Sequence, residues 1–276
     1  MPTQSEQCDR FLRLHDGDGP LLLPNPWDAG SARLLASLGF EALATTSSGF
    51  AATLGRLDGS LSRHEALAHA RDIVDATDLP VSADLENGFA DDPAAVADTV
   101  REAVACGLAG CSIEDATGRP DAPIYDAAQA RDRVEAAAEA AHGGDVHLVL
   151  TARAENHVRG RDDLADTIAR LQSFQDAGAD VLFAPGLVRL QDIRQVVTSV
   201  DRPVNVLALA GVPPVADLAS VGVRRISVGG GFAFAALGAV VQAANEFLHD
   251  GTYRFRELAA PGAAAARAAF GPDAAR

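Results

Sequence analysis

The chain has 276 residues, of which 48% are hydrophobic and 5% aromatic, so it is long enough to bury one large aliphatic core. Its formal net charge of −15 repels nucleic acid and anionic membranes, and we expect neither as a partner. All 23 basic residues are arginines; because Schiff-base catalysis needs a lysine amine, lysine-type aldolases and pyridoxal-phosphate enzymes are excluded.

The composition predicts a cytoplasmic protein. The first residues are polar and lack the apolar segment of a signal peptide. No stretch of 18 uncharged apolar residues predicts a membrane span. Cys8, Cys106 and Cys111 form an odd, unpatterned set, which favours a reducing compartment without disulfides or a zinc site.

The first predicted element is a helix over residues 5–14, which we expect to cover the floor of the fold. Eight short apolar segments then alternate with helical stretches. The predicted strands are residues 21–24, 42–46, 81–84, 110–114, 148–152, 181–184, 204–207 and 225–228. Ser62 and Glu65 predict a capping box at one helix start, and Pro93 after Asp92 predicts the first turn of another.

A repeated unit connects these elements: an amphipathic helix, a glycine and a short strand. It occurs around Gly39, Gly107, Gly178 and Gly222, where glycine suits the left-handed position that follows a helix. Eight such alternations predict a (β/α)8 barrel. The alternative is a doubly wound open sheet, which would want a Gly-x-Gly-x-x-Gly turn after the first strand, and none is present there.

The domain organisation follows from this pattern. We assign residues 1–258 to a single barrel domain that includes the amino-terminal helix. Residues 259–276 form an alanine- and glycine-rich carboxyl-terminal tail. Its sequence is compatible with either a loose helix or a disordered segment.

Charged side chains follow three successive predicted strands. Asp84 and Glu86 end one strand, Glu114 ends the next, and Arg153 follows the third. Parallel α/β proteins place their chemistry at the carboxyl ends of the strands. Because carboxylate oxygens suit a divalent cation and a guanidinium can hold a carboxylate by two parallel hydrogen bonds, the pattern predicts both at this edge.

Each of these residues has an alternative, structural interpretation. Asp58, in the loop after the second strand, completes a plausible Mg²⁺ site with the three acids, but such acids also serve as helix caps or solvated loop residues. Arg153 can instead form a structural ion pair with Glu155 or Glu114.

Further candidates lie in the loops and in one strand. The turn Ser47-Ser48-Gly49 is small enough for its backbone N–H groups to approach an anion. Asn205, in an apolar strand, either contacts substrate or fills the barrel interior. The glycines at 229–231 suit a phosphate or a tight strand-to-helix turn. Six histidines lack metal-ligand spacing and are expected to be surface or packing residues: His64, His69, His142, His147, His157 and His249.

Taken together, these motifs resemble the isocitrate lyase/phosphoenolpyruvate mutase superfamily. The resemblance runs from about Pro20 to Phe255, most of the chain. Its pieces, in order, are residues 23–29, 47–49, 54–58, 83–88, 113–115, 152–153, 185–186 and 227–229. Each piece alone is unspecific, but the ordered set is specific.

The resemblance implies a barrel that binds Mg²⁺ or Mn²⁺ and a small 2-oxo or 2-hydroxy carboxylate, with chemistry that passes through an enolate-like species. By resemblance, Asp84, Glu86 and Glu114 hold the metal directly or through water. The implied substrate-binding residues are Ser47, Ser48, Gly49, Asp84, Arg153 and Asn205. The implied catalytic residues are Arg153, Asp58 and Glu114.

The resemblance also implies a homo-oligomer, a dimer or tetramer, in which the last barrel helix is swapped between subunits. The segment 232–241 supports this because it is apolar almost all round, unlike a solvent-facing helix.

The segment 115–126 departs from the family pattern. It contains no cysteine, histidine or lysine, so it lacks both the Lys-x-Cys-Gly-His type loop of isocitrate and methylisocitrate lyases and the Lys-Thr-Asn-Ser type loop of mutases and phosphonopyruvate hydrolases. Glu86 stands where the family usually has aspartate. We therefore expect decarboxylation, hydrolysis or retro-aldol cleavage of a small diacid, with oxaloacetate as the simplest candidate.

Three alternatives stay open at this point. One is a phosphonopyruvate hydrolase-like or phosphoenolpyruvate mutase-like enzyme that acts on P–C bonds. Another is a metal-dependent aldolase on the same fold. The third is a non-catalytic protein that binds a 2-oxo acid.

Overall fold

The computed structural model describes residues 2–271, and in it eight parallel strands alternate with helices around a barrel. The strands are β1 (Leu21–Leu23), β2 (Leu43–Ala44), β3 (Val81–Asp84), β4 (Gly110–Glu114), β5 (Val149–Arg153), β6 (Val181–Phe183), β7 (Val204–Leu207) and β8 (Arg225–Ser227). Every predicted strand is present, with each end within two residues of its predicted position.

Eleven α-helices are seen in the described part of the chain. They are α1 (Gln4–Arg13), α2 (Ala29–Ser37), α3 (Ser47–Thr53), α4 (Arg63–Ala76), α5 (Pro93–Ala105), α6 (Ala127–His142), α7 (Leu164–Asp176), α8 (Leu190–Ser199), α9 (Val215–Ser220), α10 (Gly231–Asn245) and α11 (Phe255–Phe270). The predicted capping box of Ser62 and Glu65 begins α4, and Pro93 occupies the first turn of α5.

The strand order confirms the predicted (β/α)8 barrel. Neighbouring strands run β1-β8-β7-β6-β5-β4-β3-β2, all parallel, with Leu22 of β1 opposite Ile226 of β8. The N–H of Ala44 donates to the Pro24 carbonyl (3.1 Å), which links β2 to the β1 edge and nearly closes the barrel. The alternative of a doubly wound open sheet is wrong, because the first and last strands pair.

Helix α1 covers the amino-terminal end of the barrel. Cys8 and Phe11, both buried, pack against the first residues of several strands, among them Val149 and Val181. A Cβ on Gly110 would lie 2.8 Å from the Phe11 ring, so only glycine lets the helix approach β4 this closely. The amphipathic helix therefore closes the floor, as its position in the sequence predicted.

The carboxyl-terminal helices extend from the barrel. Helix α11 lies against α2 and includes the predicted domain boundary at 258/259, and residues 272–276 of the predicted tail lie outside the described residues. Helix α10 continues into a π-helical turn, Glu246–Asp250, and exposes large apolar side chains such as Val240 (62%) and Val241 (60%). Residues 231–250 are long and apolar enough to cross a membrane by length and composition alone, a test that core helices of soluble proteins also pass.

A polar network without a carboxylate crosses the barrel floor. The buried Arg225 donates to Asn205 Oδ1 (3.0 Å), Thr151 Oγ1 (3.0 Å) and His15 Nε2 (3.4 Å). His15, 1% exposed, donates from Nδ1 to the Phe11 carbonyl (2.9 Å). Burial and the neighbouring Arg225 charge lower the pKa of His15 to about 4.

This network predicts that acid destabilises the protein between about pH 6.5 and 4. His15 stays neutral in the folded state until about pH 4, whereas an unfolded histidine binds a proton near 6.5. The unfolded state therefore binds more protons in this window, and stability falls by roughly 3 kcal/mol across it. In urea unfolding at stepped pH, His15→Gln should show a shallower loss than wild type. The exposed-site control His64→Gln should retain the wild-type slope, and equal slopes for all three proteins would contradict the assignment.

Candidate functional site

Three charged residues predicted from the sequence lie together at the carboxyl edge of the barrel. Asp84 is the last residue of β3, Glu114 of β4 and Arg153 of β5, and these parallel strands are neighbours. Glu114 and Arg153 lie opposite each other in register. All three side chains are mostly withdrawn from solvent, which strengthens the electrostatic interactions among them.

The Arg153 guanidinium binds three carboxylates at once. Nη1 lies 3.1 Å from Asp84 Oδ1, while Nη2 lies 3.0 Å from Glu114 Oε2 and 2.8 Å from Glu155 Oε1. Nε also donates to Glu155 Oε1 (3.2 Å), and the guanidinium carbon lies 5.2 Å from the centre of the Phe183 ring. Both ion pairs considered from the sequence, with Glu114 and with Glu155, are therefore present.

The carboxylates around Arg153 determine its ionisation. Burial opposes the arginine charge, but the carboxylates of Glu114, Glu155 and Asp84 outweigh it and raise the arginine pKa. Burial also raises the pKa of Glu114 well above its ordinary value; Arg153 opposes this rise, whereas Glu155 and Asp84 add to it. The site thus holds a permanently charged arginine among more acids than it can neutralise.

Glu86 occupies a strained position just beyond β3. Its φ of 47° lies in the left-handed region that non-glycine residues rarely adopt. Its N–H donates to Asp84 Oδ1 (3.3 Å), and its carbonyl accepts from the Glu114 N–H (2.9 Å). Its Oε1 is buried without a hydrogen-bond partner, and burial followed by the charges of Asp84 and Asp58 raises the Glu86 pKa to about 7.

The turn after Glu86 is held in place from outside the barrel. Gly88 and Phe89 also have positive φ, 73° and 58°, and a Cβ on Gly88 would lie 2.9 Å from Val96. The buried guanidinium of Arg133 in α6 donates to the carbonyls of Asn87 and Ala90. This support was not found from the sequence, because an arginine in a helix pattern is ordinarily a surface residue.

The donor set fits a hard divalent cation. Asp84, Glu86, Glu114 and Glu155 place four carboxylates against two guanidinium groups, those of Arg153 and Arg159. Mg²⁺ and Mn²⁺ prefer such oxygen ligands, and the unpartnered Glu86 Oε1 is the kind of atom that a cation would satisfy. The residues present could therefore hold a divalent metal ion.

Two adjoining cavities open at this edge. The inner one, about 180 Å³, extends into the barrel mouth past Asp84 and Arg153 to Asn205 and Arg225. The outer one, about 990 Å³, is lined by Glu86, Glu114 and the loop after β4. Asp58 lines both cavities, so the loop between α3 and α4 brings it to the site even though it lies outside any strand.

The predicted 47–49 turn forms the start of α3 beside Asp84. Both the N–H and the hydroxyl of Ser47 donate to Asp84 Oδ2, at 3.2 and 2.9 Å. The N–H of Gly49 donates to Thr46 Oγ1 (3.3 Å), and a Cβ at this glycine would lie 2.6 Å from Thr46 Cγ2. Ser48 Oγ lies 3.2 Å from Thr46 Oγ1. The turn therefore fixes Asp84 and lines the inner cavity.

Two other candidates, Asn205 and the glycines at 229–231, form hydrogen bonds with neighbouring residues. Asn205 Nδ2 donates to Ser227 Oγ (2.9 Å) and its Oδ1 accepts from Arg225, which matches the barrel-filling interpretation although the residue also lines the inner cavity. The N–H of Gly229 donates to Asn25 Oδ1 (2.9 Å). That bond favours the tight strand-to-helix turn over a phosphate cradle at 229–231.

The segment 115–126 is fixed as a compact loop over the outer cavity. Thr117 pairs with the opposite side of the loop through its N–H, which donates to the Pro123 carbonyl (3.0 Å). Arg119 and Tyr125 both bind Asp91. Asp115 is buried and pairs with Arg170 (3.0 Å), so it supports the loop.

Sequence reasoning missed two members of the site. Glu155 was considered only as an ion-pair partner, yet its carboxylate is buried and holds both Arg153 and Arg159. Arg159, in a short 3₁₀ turn, also reaches Glu114 Oε1 (3.5 Å). The sequence does show alternating charge after β5, at Arg153, Glu155 and Arg159. However, the expectation that functional side chains lie at strand ends selects only Arg153.

Comparison with known proteins shows which family this chain resembles. Residues 11–248 match the sequence model of the family described as phosphoenolpyruvate phosphomutase. An uncharacterized protein of Mycobacterium tuberculosis (strain H37Rv) is 33% identical over 224 residues, which cover 79% of this chain and 81% of that protein. The 2-methylisocitrate lyase of Escherichia coli (strain K12) is 31% identical over 195 residues, covering 68% of this chain and 64% of the lyase.

A solved structure extends the similarity over nearly the whole chain. The crystal structure of a candidate lyase/mutase from Burkholderia cenocepacia J2315 is 49% identical, with a TM-score of 0.94 and coverage of 98% of both chains. With the matched family model, the barrel and the ordered motifs at its carboxyl edge, this identifies the chain as a member of the isocitrate lyase/phosphoenolpyruvate mutase superfamily of enzymes.

Proposed function

We propose that the protein is a Mg²⁺- or Mn²⁺-dependent carbon–carbon lyase. Its substrate is a small 2-oxo or 2-hydroxy carboxylate such as oxaloacetate or a methylisocitrate-like acid, which it cleaves or decarboxylates through an enolate. The observation that carries the proposal is the group of carboxylates that surrounds Arg153 at the mouth of a barrel cavity. The similarity to a 2-methylisocitrate lyase supports C–C chemistry.

The metal site we assign consists of Asp84, Glu86 and Glu114, acting directly or through water, with Asp58 nearby. Burial and the charges of Asp84 and Asp58 raise the pKa of Glu86 to about 7, as expected for acids crowded together without a cation, and the unpartnered Glu86 oxygen also supports this assignment. When bound, the cation would polarise the substrate carbonyl and stabilise the negative charge that C–C cleavage leaves on its oxygen.

The remaining residues of the site are assigned to substrate binding and catalysis. We assign a substrate carboxylate to the Ser47-Ser48-Gly49 turn, and Arg153 to a second anionic oxygen. Two Arg153 nitrogens, Nε and Nη2, bind Glu155, so the Nη1 side that now meets Asp84 is the part we assign to substrate. Asp58 and Glu114 are assigned catalytic roles beside the metal, and Asn205 lies deeper in the cavity that Asp58 lines.

Glu155 fixes the arginine so that its fork does not have to be ordered when substrate binds. Its buried side chain accepts two Arg153 N–H bonds and faces Arg159 (3.4 Å). Preorganisation of this kind reduces the entropy lost on binding and favours a defined substrate orientation.

A second candidate function is P–C bond chemistry, which the description of the matched family favours. The segment 115–126, without lysine or histidine and fixed by Asp91 and Arg170, argues against it. Steady-state assays of oxaloacetate, methylisocitrate, phosphonopyruvate and pyruvate plus aldehyde, each with Mg²⁺, separate the lyase from a P–C enzyme and from an aldolase. If the protein binds a 2-oxo acid but turns over no substrate of the panel, the remaining hypothesis is a non-catalytic 2-oxo acid binding protein.

The proposed setting is a cytoplasmic homo-oligomer without nucleic-acid or membrane partners. The odd, unpatterned set of Cys8, Cys106 and Cys111 supports a reducing compartment. The exposed apolar residues of α10 are the surface that we assign to a second copy of the chain, with the helix swapped between subunits.

The metal assignment predicts that Asp84→Asn loses metal-dependent activity. The change preserves shape but removes one carboxylate charge, so Mg²⁺ affinity should fall by at least about tenfold. Isothermal titration of EDTA-treated protein with Mg²⁺ and assays with and without chelator measure this. Asp217→Asn, an exposed acid on α9, is the matched control. Wild-type affinity and activity in Asp84→Asn would refute the site.

The arginine assignment predicts that Arg153→Lys lowers kcat/KM by tenfold to a hundredfold. Lysine retains the charge but loses the planar fork, and one charge-assisted hydrogen bond contributes about 1.5–3 kcal/mol. The control is Arg101→Lys, which makes the same substitution in an exposed ion pair on α5. Unchanged kinetics on every diacid would make Arg153 structural, and faster wild-type turnover of phosphonopyruvate than of any diacid would favour the second candidate.

The assembly assignment predicts a dimer or tetramer in multi-angle light scattering at micromolar concentration. Val240→Glu with Val241→Glu should shift it towards monomer, because charge at the centre of an apolar interface is costly. A clean wild-type monomer would show that α10 does not associate.

A further inference from the structure

A second cluster of ligating side chains lies at the opposite end of the barrel from Arg153. His142 is the last residue of α6, His147 stands two residues before β5, and Asp180 immediately precedes β6. The cluster is therefore at the amino-terminal edge of the strands, remote from the cavities described above. Sequence reasoning gave both histidines surface or packing roles, because their ligating partner is 33 residues beyond His147.

Both histidine side chains point at the Asp180 carboxylate. His142 Nε2 lies 3.0 Å from Asp180 Oδ2, and His147 Nε2 lies 2.9 Å from Asp180 Oδ1. The imidazole rings stack with their centres 4.0 Å apart and an angle of 6° between their planes. The ligating atoms of all three residues lie within 4.8 Å of one another, close enough for one cation to reach them.

Asp180 has no arginine partner among the described residues, although its side chain is only 10% exposed. Burial alone raises its pKa, but hydrogen bonds from His142, from the Leu150 N–H and from His147 outweigh burial and lower the pKa. The Leu150 bond (2.8 Å to Oδ2) also fixes the carboxylate orientation. Asp180 is thus an oriented carboxylate that, among the described residues, accepts from two imidazoles and one backbone N–H.

We propose that His142, His147 and Asp180 form a binding site for a transition-metal cation of the Zn²⁺ type. Two imidazole nitrogens and one carboxylate are the ligand set that Zn²⁺ accepts, and hard Mg²⁺ disfavours imidazole. The site is therefore separate in place and in metal preference from the carboxylate site beside Arg153.

The proton balance of binding is simple. In the metal-free protein each Nε2–H donates to Asp180, because an ionised carboxylate can only accept. On binding, each proton moves to Nδ1 of the same ring, and the two partly exposed rings tilt out of their parallel stack so that both Nε2 lone pairs and a carboxylate oxygen meet the cation at about 2.0–2.2 Å. His147 is 42% exposed, so water can complete the coordination. The Leu150 N–H then supports the ligating carboxylate from outside the ligand set.

The test uses the full-length protein after EDTA treatment and dialysis, carried on an Asp84→Asn background so that the carboxylate site is weakened independently. Titration with ZnCl₂ in excess Mg²⁺ should show one site per chain. His147→Gln, which removes an exposed ligand, should weaken Zn²⁺ binding at least tenfold. His64→Gln, an exposed histidine on α4, should bind as the unmodified protein does.

A spectroscopic readout identifies the ligands. Co²⁺ in place of Zn²⁺ should give visible absorption without a thiolate charge-transfer band, since Cys8, Cys106 and Cys111 are not part of the site. His147→Gln should lose this absorption while retaining the far-UV circular dichroism of the parent. Absence of stoichiometric Zn²⁺ binding, or binding that His147→Gln leaves unchanged, would overturn the proposal and leave the cluster as a hydrogen-bonded structural group. Neither outcome depends on whether the protein is a lyase.

Discussion

The contacts of Arg153 with three carboxylates organise the mouth of the barrel. Asp84 and Glu114 end neighbouring strands, and without a cation between them their charges would repel. The arginine contacts both carboxylates, and Glu155 fixes its guanidinium through Nε and Nη2. The strained turn at Glu86 and the serine turn at Ser47 are both built onto Asp84, so their geometry depends on this ion pair.

Backbone strain is concentrated beside the same group. Among the described residues, the only non-glycine residues with positive φ are Glu86 and Phe89, both in the turn after β3. Arg133 of α6 holds that turn by donating to three of its carbonyls, those of Asn87, Ala90 and Asp91, and the Asp91 side chain is bound by the loop after β4. Strain that is fixed from two sides in this way keeps a buried carboxylate directed at a cavity, where an unconstrained glutamate would turn to solvent.

The barrel could be predicted from the sequence because each strand is a short apolar run and each repeat ends a helix with glycine. Asp84, Glu114 and Arg153 could be placed because strand ends converge in any parallel barrel. Partners set by packing could not be read in this way. Arg133 lies in an ordinary helix pattern, and Asp180 becomes a partner of His142 only when β5 and β6 are adjacent. The satisfied amide of Asn205 likewise required the neighbouring Ser227 and Arg225.

The closed barrel floor joins the amino-terminal helix to residues that are synthesised much later. Helix α1 is synthesised before its partners: Gln4 donates to the carbonyls of Val104 and Leu108, and His15, in the turn after the helix, meets Arg225, 210 residues further along. Domains are completed vectorially from the amino terminus. The helix therefore emerges as an unpartnered amphipathic segment, and its surface is fully covered only when the last strand has been translated. The floor of the barrel therefore cannot be complete until β8, which carries Arg225, has been synthesised.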